Sequence, residues 1–168
     1  MKSLRLPPFR LIHAAYVTGD LDKGKRKLAA MFGVLEVRVY SGIGVDVPGG
    51  VAMIDFALAN ANGTALEVIQ PTGGKDAVYR RALPAQPTDI AFHHFASRIL
   101  CQAEWDMVLE AVDHHGFEVP VRGGTDDYRY IYLDARAHLG HMLEFIWFVS
   151  PDAEAAGERV GQIERISQ

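Results

Sequence analysis

Apolar positions along the chain switch between a two-residue and a 3.6-residue period in a fixed order, and the whole order occurs twice. Over residues 10–18, Leu11, His13, Ala15 and Val17 share one face of a strand, with Ile12, Ala14 and Tyr16 on the other. Thr18-Gly19-Asp20 then offers capping oxygens, and Leu21, Leu28, Met31 and Phe32 recur at helical spacing up to Gly33, which predicts a helix over 20–32. Strands are expected over 34–40, 51–58 and 64–70. A loop over 41–50, rich in Gly with one Pro, separates the first two, and the turn Asn60-Ala61-Asn62-Gly63 separates the last two. The second series begins at Ile90, Phe92, His94, Ala96 and Arg98, which share a face. Trp105, Val108, Leu109 and Val112 follow at helical spacing over 104–115, Gly116 closes that helix, and strands are expected over 117–121, 128–134 and 139–149. The chain thus reads β-α-β-β-β twice, an α+β protein. Its expected parts are a first module over 10–70, a linker over 71–89 with room for a short helix at 76–83, a second module over 90–149 and a polar C-terminal tail over 150–168. A surface helix over 153–163 is expected in the tail.

Two strands carry a carboxylate where the pattern calls for an apolar residue. In Leu139-Gly140-His141-Met142-Leu143-Glu144-Phe145-Ile146-Trp147-Phe148, alternation puts Gly140, Met142, Glu144, Ile146 and Phe148 on one face and His141, Leu143, Phe145 and Trp147 on the other. Both faces are apolar, as suits a strand covered by helices behind and lining a pocket in front. A buried carboxylate costs several kcal/mol unless it is paired, hydrogen-bonded or bound to a metal. Glu67, between Ala65 and Ile69, poses the same question in the first series. His13 to Glu67 spans 54 positions (13 to 67) and His94 to Glu144 spans 50 (94 to 144), so each series opens on a strand His and closes on a strand Glu.

Brought together, two imidazoles and two carboxylates would hold a divalent transition metal such as Zn, Ni, Co, Mn or Fe. One or two positions of a six-coordinate ion would stay open. Such an ion can take two oxygens of a substrate and polarise a carbonyl for proton transfer at the neighbouring carbon, with Glu67 or Glu144 as the catalytic carboxylate that moves the proton. A lone strand His is more often a satisfied core residue, and the duplication is what raises the set above that. Adjacent His93 and His94 are expected on opposite faces. The repeat selects His94, and His93 is placed on the helix side. His141 reads as structural, His138 as a turn residue, and His114 and His115 as favourable charges at a helix C-terminus. By parity, Met53, Phe92, Met142, Ile146 and Phe148 would surround the site, with Tyr128, Tyr130 and Tyr132 if their strand faces inward. The expected substrate contacts are Met53, Phe92, Arg98, Tyr130, Met142 and Phe148, with Arg98 available to an anionic group. Packing and strand propensity alone would also account for the aromatic set.

Composition narrows the classes further. Apolar residues at 49% and charged residues at 23% are globular values, and a formal charge of −4 gives no general attraction for nucleic acid or anionic lipid. The single Cys101 excludes an intrachain disulfide and a multi-cysteine zinc site. Residues 1–9 contain Pro7 and Pro8 and no apolar leader core, and no run approaches a membrane span, so a cytoplasmic location is expected. Gly42-Ile43-Gly44 and Gly73-Gly74-Lys75 lack the remaining residues of dinucleotide and P-loop fingerprints.

Over residues 10–149 the chain resembles the vicinal oxygen chelate superfamily of glyoxalases, bleomycin-resistance proteins and extradiol dioxygenases. The likeness is carried by Leu11-Ile12-His13-Ala14-Ala15-Tyr16-Val17, Leu66-Glu67-Val68-Ile69, His93-His94-Phe95-Ala96 and Gly140-His141-Met142-Leu143-Glu144-Phe145. It implies two βαβββ modules forming a cupped mixed sheet with helices outside and a metal between the halves, with His13, Glu67, His94 and Glu144 as ligands. That His-Glu-His-Glu order looks most like the glyoxalase I branch, although no set of residues for a glutathione moiety is evident. Methylmalonyl-CoA epimerase is similar in architecture and in its proton transfer but less so at Glu67, where Gln would be expected. The resemblance therefore implies a metal-dependent lyase or isomerase acting on a small oxygen-chelating substrate with an apolar part. The competing expectations are a non-catalytic small-molecule binding or resistance protein, and an iron-dependent dioxygenase, which would be expected to use two His and one Glu. Modules of this superfamily pair within or between chains, so a homodimer is compatible with it.

Overall fold

A computed structural model describes residues 5–166. Residues 1–4 of the proline-containing N-terminal stretch and 167–168 of the tail lie outside the described residues. The first series folds as β1 (Leu11–Thr18), α1 (Leu21–Phe32), β2 (Glu36–Val47), β3 (Gly50–Ala61) and β4 (Thr64–Gly74), followed by a short α2 (Ala77–Arg80). The second comprises β5 (Ile90–Ile99), α3 (Gln102–His115), β6 (Val121–Gly124), β7 (Tyr128–Leu133), α4 (Arg136–Leu139) and β8 (Met142–Phe148). Last come α5 (Pro151–Val160) and β9 (Gln162–Arg165). Asp20 caps α1 by accepting from the Lys23 N–H, and Gly33 and Gly116 end α1 and α3 by donating their N–H groups to the carbonyls of Ala29 and Val112.

One mixed sheet runs in the order β6-β7-β8-β5-β1-β4-β3-β2-β9. β1 pairs parallel with β4, β5 pairs parallel with β8, and β1 and β5 join the two series back to back as antiparallel neighbours. β2 and β6, far apart in that order, also touch, so the sheet curls into a cup. Alternation sorts the core. Ala15, Val17, Ile69, Tyr132 and Met142 pack inside the cup; Ala14, Leu66 and Val68 pack outside with Leu28 of α1, and Leu143 and Phe145 outside with Trp105 and Val108 of α3. The α+β class and the duplicated βαβββ architecture are those read from the sequence. Among the described residues no helix is long and apolar enough to cross a membrane.

Several local expectations change. The loop expected over 41–50 is strand for most of its length. Tyr40 pairs with Phe56 and Ile43 with Ile54, so Ser41 and Gly42 form a bulge opposite Asp55. Gly42 takes φ +66°, open to glycine at little cost, and its N–H donates to Asp55 Oδ1 at 2.7 Å. The strand expected over 117–121 begins only at Val121, and β4 continues to Gly74. The tail's helix starts earlier than expected, with Ser150 as N-cap and Pro151 in the first turn. Ile163, expected in that helix, instead belongs to β9, which pairs antiparallel with the edge strand β2.

Candidate metal centre

His13 of β1 and His94 of β5 face each other at the centre of the cup, their Nε2 atoms 3.4 Å apart. Glu144 of β8 points between them: its Oε2 lies 3.1 Å from His94 Nε2 and 3.3 Å from His13 Nε2. His13, His94 and Glu144 each offer one atom within 4.8 Å of the others and form a candidate metal site. Glu67 of β4 stands slightly apart, with Oε2 3.4 Å from His13 Nε2 and 3.7 Å from His94 Nε2. All four are buried. The parallel pairs explain the meeting: β1 beside β4 brings a His and a Glu to one inner face, and β5 beside β8 brings the other two.

Electrostatics in this cluster pull in opposite directions. Burial favours neutral His13, but Glu67 and Glu144 outweigh it and hold the imidazole above its ordinary value of 6.5. Burial also raises Glu67 above 4.5, and repulsion from Glu144 adds to this against the attraction of both imidazoles. Glu144 goes the other way. Burial opposes its charge, yet hydrogen bonds from His13 and His94 hold it below the usual range. Two carboxylates and two imidazole nitrogens converge where only protons or a cation can separate them. That donor set suits a divalent transition metal.

A pH dependence follows for the metal-free protein. A raised His13 and a raised Glu67 each contribute stability below their unfolded values of 6.5 and 4.5, and that stability is lost as pH rises through their folded values. The lowered Glu144 contributes above 4.5 and loses its contribution as pH falls through its folded value. His93, held far below 6.5 by burial, loses stability only as pH falls below 6.5, so above that value the raised His13 decides the sign and metal-free protein is expected to melt at a lower temperature at pH 9 than at pH 7. Added metal should reverse the trend, because it replaces the protons and gains affinity as they leave. Calorimetric melting with and without metal across this range checks both signs.

Several solved structures share this architecture at low sequence identity. Methylmalonyl-CoA epimerase from Mycobacterium tuberculosis matches with a TM-score of 0.59 at 15% identity, covering 92% of this chain and 97% of that one. The Streptomyces coelicolor epimerase, as a variant in complex with 2-nitronate-propionyl-CoA, matches with a TM-score of 0.53 at 18% identity over 86% of this chain and 100% of that one. A hypothetical protein from Bacillus halodurans C-125 matches with a TM-score of 0.53 at 13% identity over 84% and 95%. The chain has the vicinal oxygen chelate fold. No protein-family model and no curated protein matches the sequence.

In this vicinal oxygen chelate fold the centre opens into a cavity of about 1120 Å³. Its wall includes Tyr40, Phe56, Tyr128, Ile146, Phe148 and Arg98. Tyr40 stacks on Phe56 with ring centres 4.5 Å apart, and Tyr128 lies 5.5 Å from Phe148. The Arg98 guanidinium sits 5.1 Å over the Phe148 ring and pairs with Glu154 of α5, so a helix the sequence places in a surface tail reaches the cavity rim. Of the expected substrate contacts, Arg98 and Phe148 line this cavity, whereas Met53, Phe92, Tyr130 and Met142 do not. Met142 is buried in the inner core and Tyr130 packs against that core. Met53 pairs with Gly44 of β2, away from the wall. Phe92 lies on the outer surface against Tyr16, Phe95 and His141.

A bulge explains Phe92. Ala15 pairs with His94 but Tyr16 pairs with Phe92, so His93 is an extra residue in β5. Upstream of it the alternation is inverted, which sends Phe92 outward. The same bulge overturns the placement of His93 on the helix side. His93 is buried inside the cup, its ring 5.3 Å from Tyr79 of α2 and 5.1 Å from His94. Tyr40, Phe56 and Ile43 are wall residues that parity alone missed. The signal for Tyr40 and Ile43 is Gly42, whose bulge resets which residues of β2 face inward, while Phe56 shares the inner face of β3 with Ala52 and Ile54, opposite to Met53.

Proposed function

We propose that this protein is a metal-dependent isomerase or lyase of the glyoxalase type, moving a proton on the carbon beside a carbonyl of a substrate that chelates through two oxygens. The observation that carries this reading is the convergence of His13, His94, Glu144 and Glu67 on one buried point at the base of an aromatic cavity. The likeness to methylmalonyl-CoA epimerases, which are isomerases, supports it at the level of fold. When bound, the metal would act as a Lewis acid towards the substrate's oxygens. His13 and His94 would hold it as neutral ligands, and Glu144 would supply charge close to it. Glu67, outside the compact triad and with its proton affinity raised, is the carboxylate best placed to take and return the proton. The aromatic wall excludes water from the apolar part of the substrate, and Arg98 orients an anionic group once it exchanges Glu154 for substrate.

The test is solvent deuterium exchange followed by proton NMR. Untagged protein loaded in turn with Zn, Ni, Co and Mn is offered racemic 2-methylmalonyl thioesters and hemithioacetals of 2-oxoaldehydes. Metal-dependent exchange at the α-carbon supports the reading, with loss of at least about 100-fold in rate for Glu67→Gln, the lower end of what a general base contributes. A metal-free protein that binds aromatic ligands without exchange would establish sequestration instead.

A further inference from the structure

The C-terminal segment crosses from one half of the cup to the other. As it leaves β8, the N–H groups of Val149 and Ser150 donate to the carbonyl of Asp127 at 2.8 and 3.4 Å. At its far end β9 pairs with β2 of the first series, and Glu164 of β9 pairs with Lys25 of α1. Between these anchors α5 runs along the cavity, whose wall takes in Ala153, Glu154 and Ala156. The two alanines offer no charge. Glu154 turns its carboxylate onto Arg98, with Arg98 Nη1 donating to Oε2 at 3.0 Å and Nη2 donating to Oε1. Two parallel contacts of this kind are the bidentate geometry in which a guanidinium recognises a carboxylate. Arg98 also lies over the Phe148 ring, which orients its fork in the cavity wall. It follows His94 by four residues on one face of β5, which places it roughly 13 Å along the strand from the buried cluster.

We propose that Glu154 is a specificity-determining residue, a resident carboxylate that fills the anion subsite at Arg98 and ties α5 to the cup until a substrate's own carboxylate replaces it. The inference rests on the reading of the cavity as the substrate site, and it adds the outline of the substrate. Chelating oxygens lie at one end, an apolar middle meets the aromatic wall, and a carboxylate stands roughly 13 Å from the chelating end. Glu154 sets how readily that carboxylate is accepted. An acid must displace it, so the apparent affinity is the intrinsic one scaled by the fraction of protein in which Arg98 is free. A neutral molecule gains nothing from the displacement and binds without this subsite. The internal competitor therefore favours acids that match the fork of Arg98 over ligands that are merely apolar.

The experiment is a double-mutant cycle read by fluorescence titration with pyrenebutanoate and its neutral amide, two aromatic probes of the same shape. Wild type should bind the acid more tightly than the amide. Arg98→Met should weaken the acid about 10-fold, the low end for a hydrogen bond to a charged group, and leave the amide within about 2-fold. Glu154→Gln keeps the side chain's volume and should tighten the acid about 3- to 5-fold, the upper range for an exposed ion pair, again without effect on the amide. In the Arg98→Met background the Glu154→Gln gain should vanish, because there is no longer a subsite to vacate. Side chains 33% and 44% exposed can be exchanged without opening the core, and amide binding checks that the cavity survives in each variant. Equal binding of acid and amide by wild type would overturn the proposal, as would binding of neither. So would a Glu154→Gln variant without the gain, or a gain that persists without Arg98 and so reflects only the general field. Neither probe needs metal or chemistry. Absence of α-carbon exchange would end the proposed reaction and leave this cycle standing, whereas a cycle without coupling would end only this inference.

Discussion

Replacing Glu144 by Gln is expected to lower transition-metal affinity by at least about 100-fold, since removal of mere second-layer partners of a metal site already costs 10- to 100-fold. The amide keeps the volume of the side chain, so the change removes charge without opening a cavity. Glu144 lies within reach of both imidazole Nε2 atoms, and burial leaves it no solvent to spread its charge. Its oxygens are thus the strongest attraction that the cup offers a cation. In the metal-free variant His13 should titrate lower, because it loses the hydrogen bond to Glu144. Metal at about 1,000 times the wild-type dissociation constant stabilises a protein by about 4 kcal/mol, and most of that gain should vanish in the variant. Elemental analysis of untagged protein and melting curves with and without metal measure both effects. Wild-type stoichiometry retained by Glu144→Gln would show that the buried cluster holds no metal through this residue.

Glu67 and Glu144 are legible because each lies in a strand whose alternation runs without interruption across it, whereas His13 and His94 each sit beside an irregularity of the β1–β5 pair and are singled out by the repeat instead. Glu67 sits between Leu66 and Val68, which face α1, and Glu144 sits between Leu143 and Phe145, which face α3. Inner-face positions were assigned wrongly where a bulge intervenes. His93 and Phe92 exchange sides at the irregularity opposite Ala15 and Tyr16, and a bulge is a property of two paired strands that one strand's pattern does not contain. The cavity wall at Tyr40 and Ile43 is hidden for the same reason, behind the Gly42 bulge, whereas Phe56 and Met53 exchange places because the alternation of β3 does not say which of its faces is inner. β9 was illegible on other grounds. Its four residues have no hydrophobic period of their own and become a strand only because β2 presents a free edge. The contact of Arg98 with Glu154 of α5 joins residues distant in sequence, and nothing local to either announces it.

Leu28→Ala is expected to destabilise the fold by about 2–5 kcal/mol, a large share of the roughly 5–15 kcal/mol that holds a domain of this size together. Leu28 is wholly buried under α1, clustered with Val34, Val37, Leu66 and Val68 on the outer face of the sheet. Truncation loses the transfer free energy of the removed carbons, and a void remains because α1 is held close to β4: a Cβ built at Gly24 would already stand 2.9 Å from a Val68 methyl. Met31→Ala, on the same helix but 62% exposed, should change stability by less than about 0.5 kcal/mol. Urea unfolding of metal-free protein separates the two. Leu66 and Val68 face Leu28 while Glu67 between them faces the cup, so the lesion lies across the sheet from the metal centre. Folded Leu28→Ala protein should therefore bind metal with an affinity within a few-fold of wild type. A loss of affinity as large as that of Glu144→Gln would mean that the outer layer sets the position of Glu67, and that core packing and metal site are one cooperative unit.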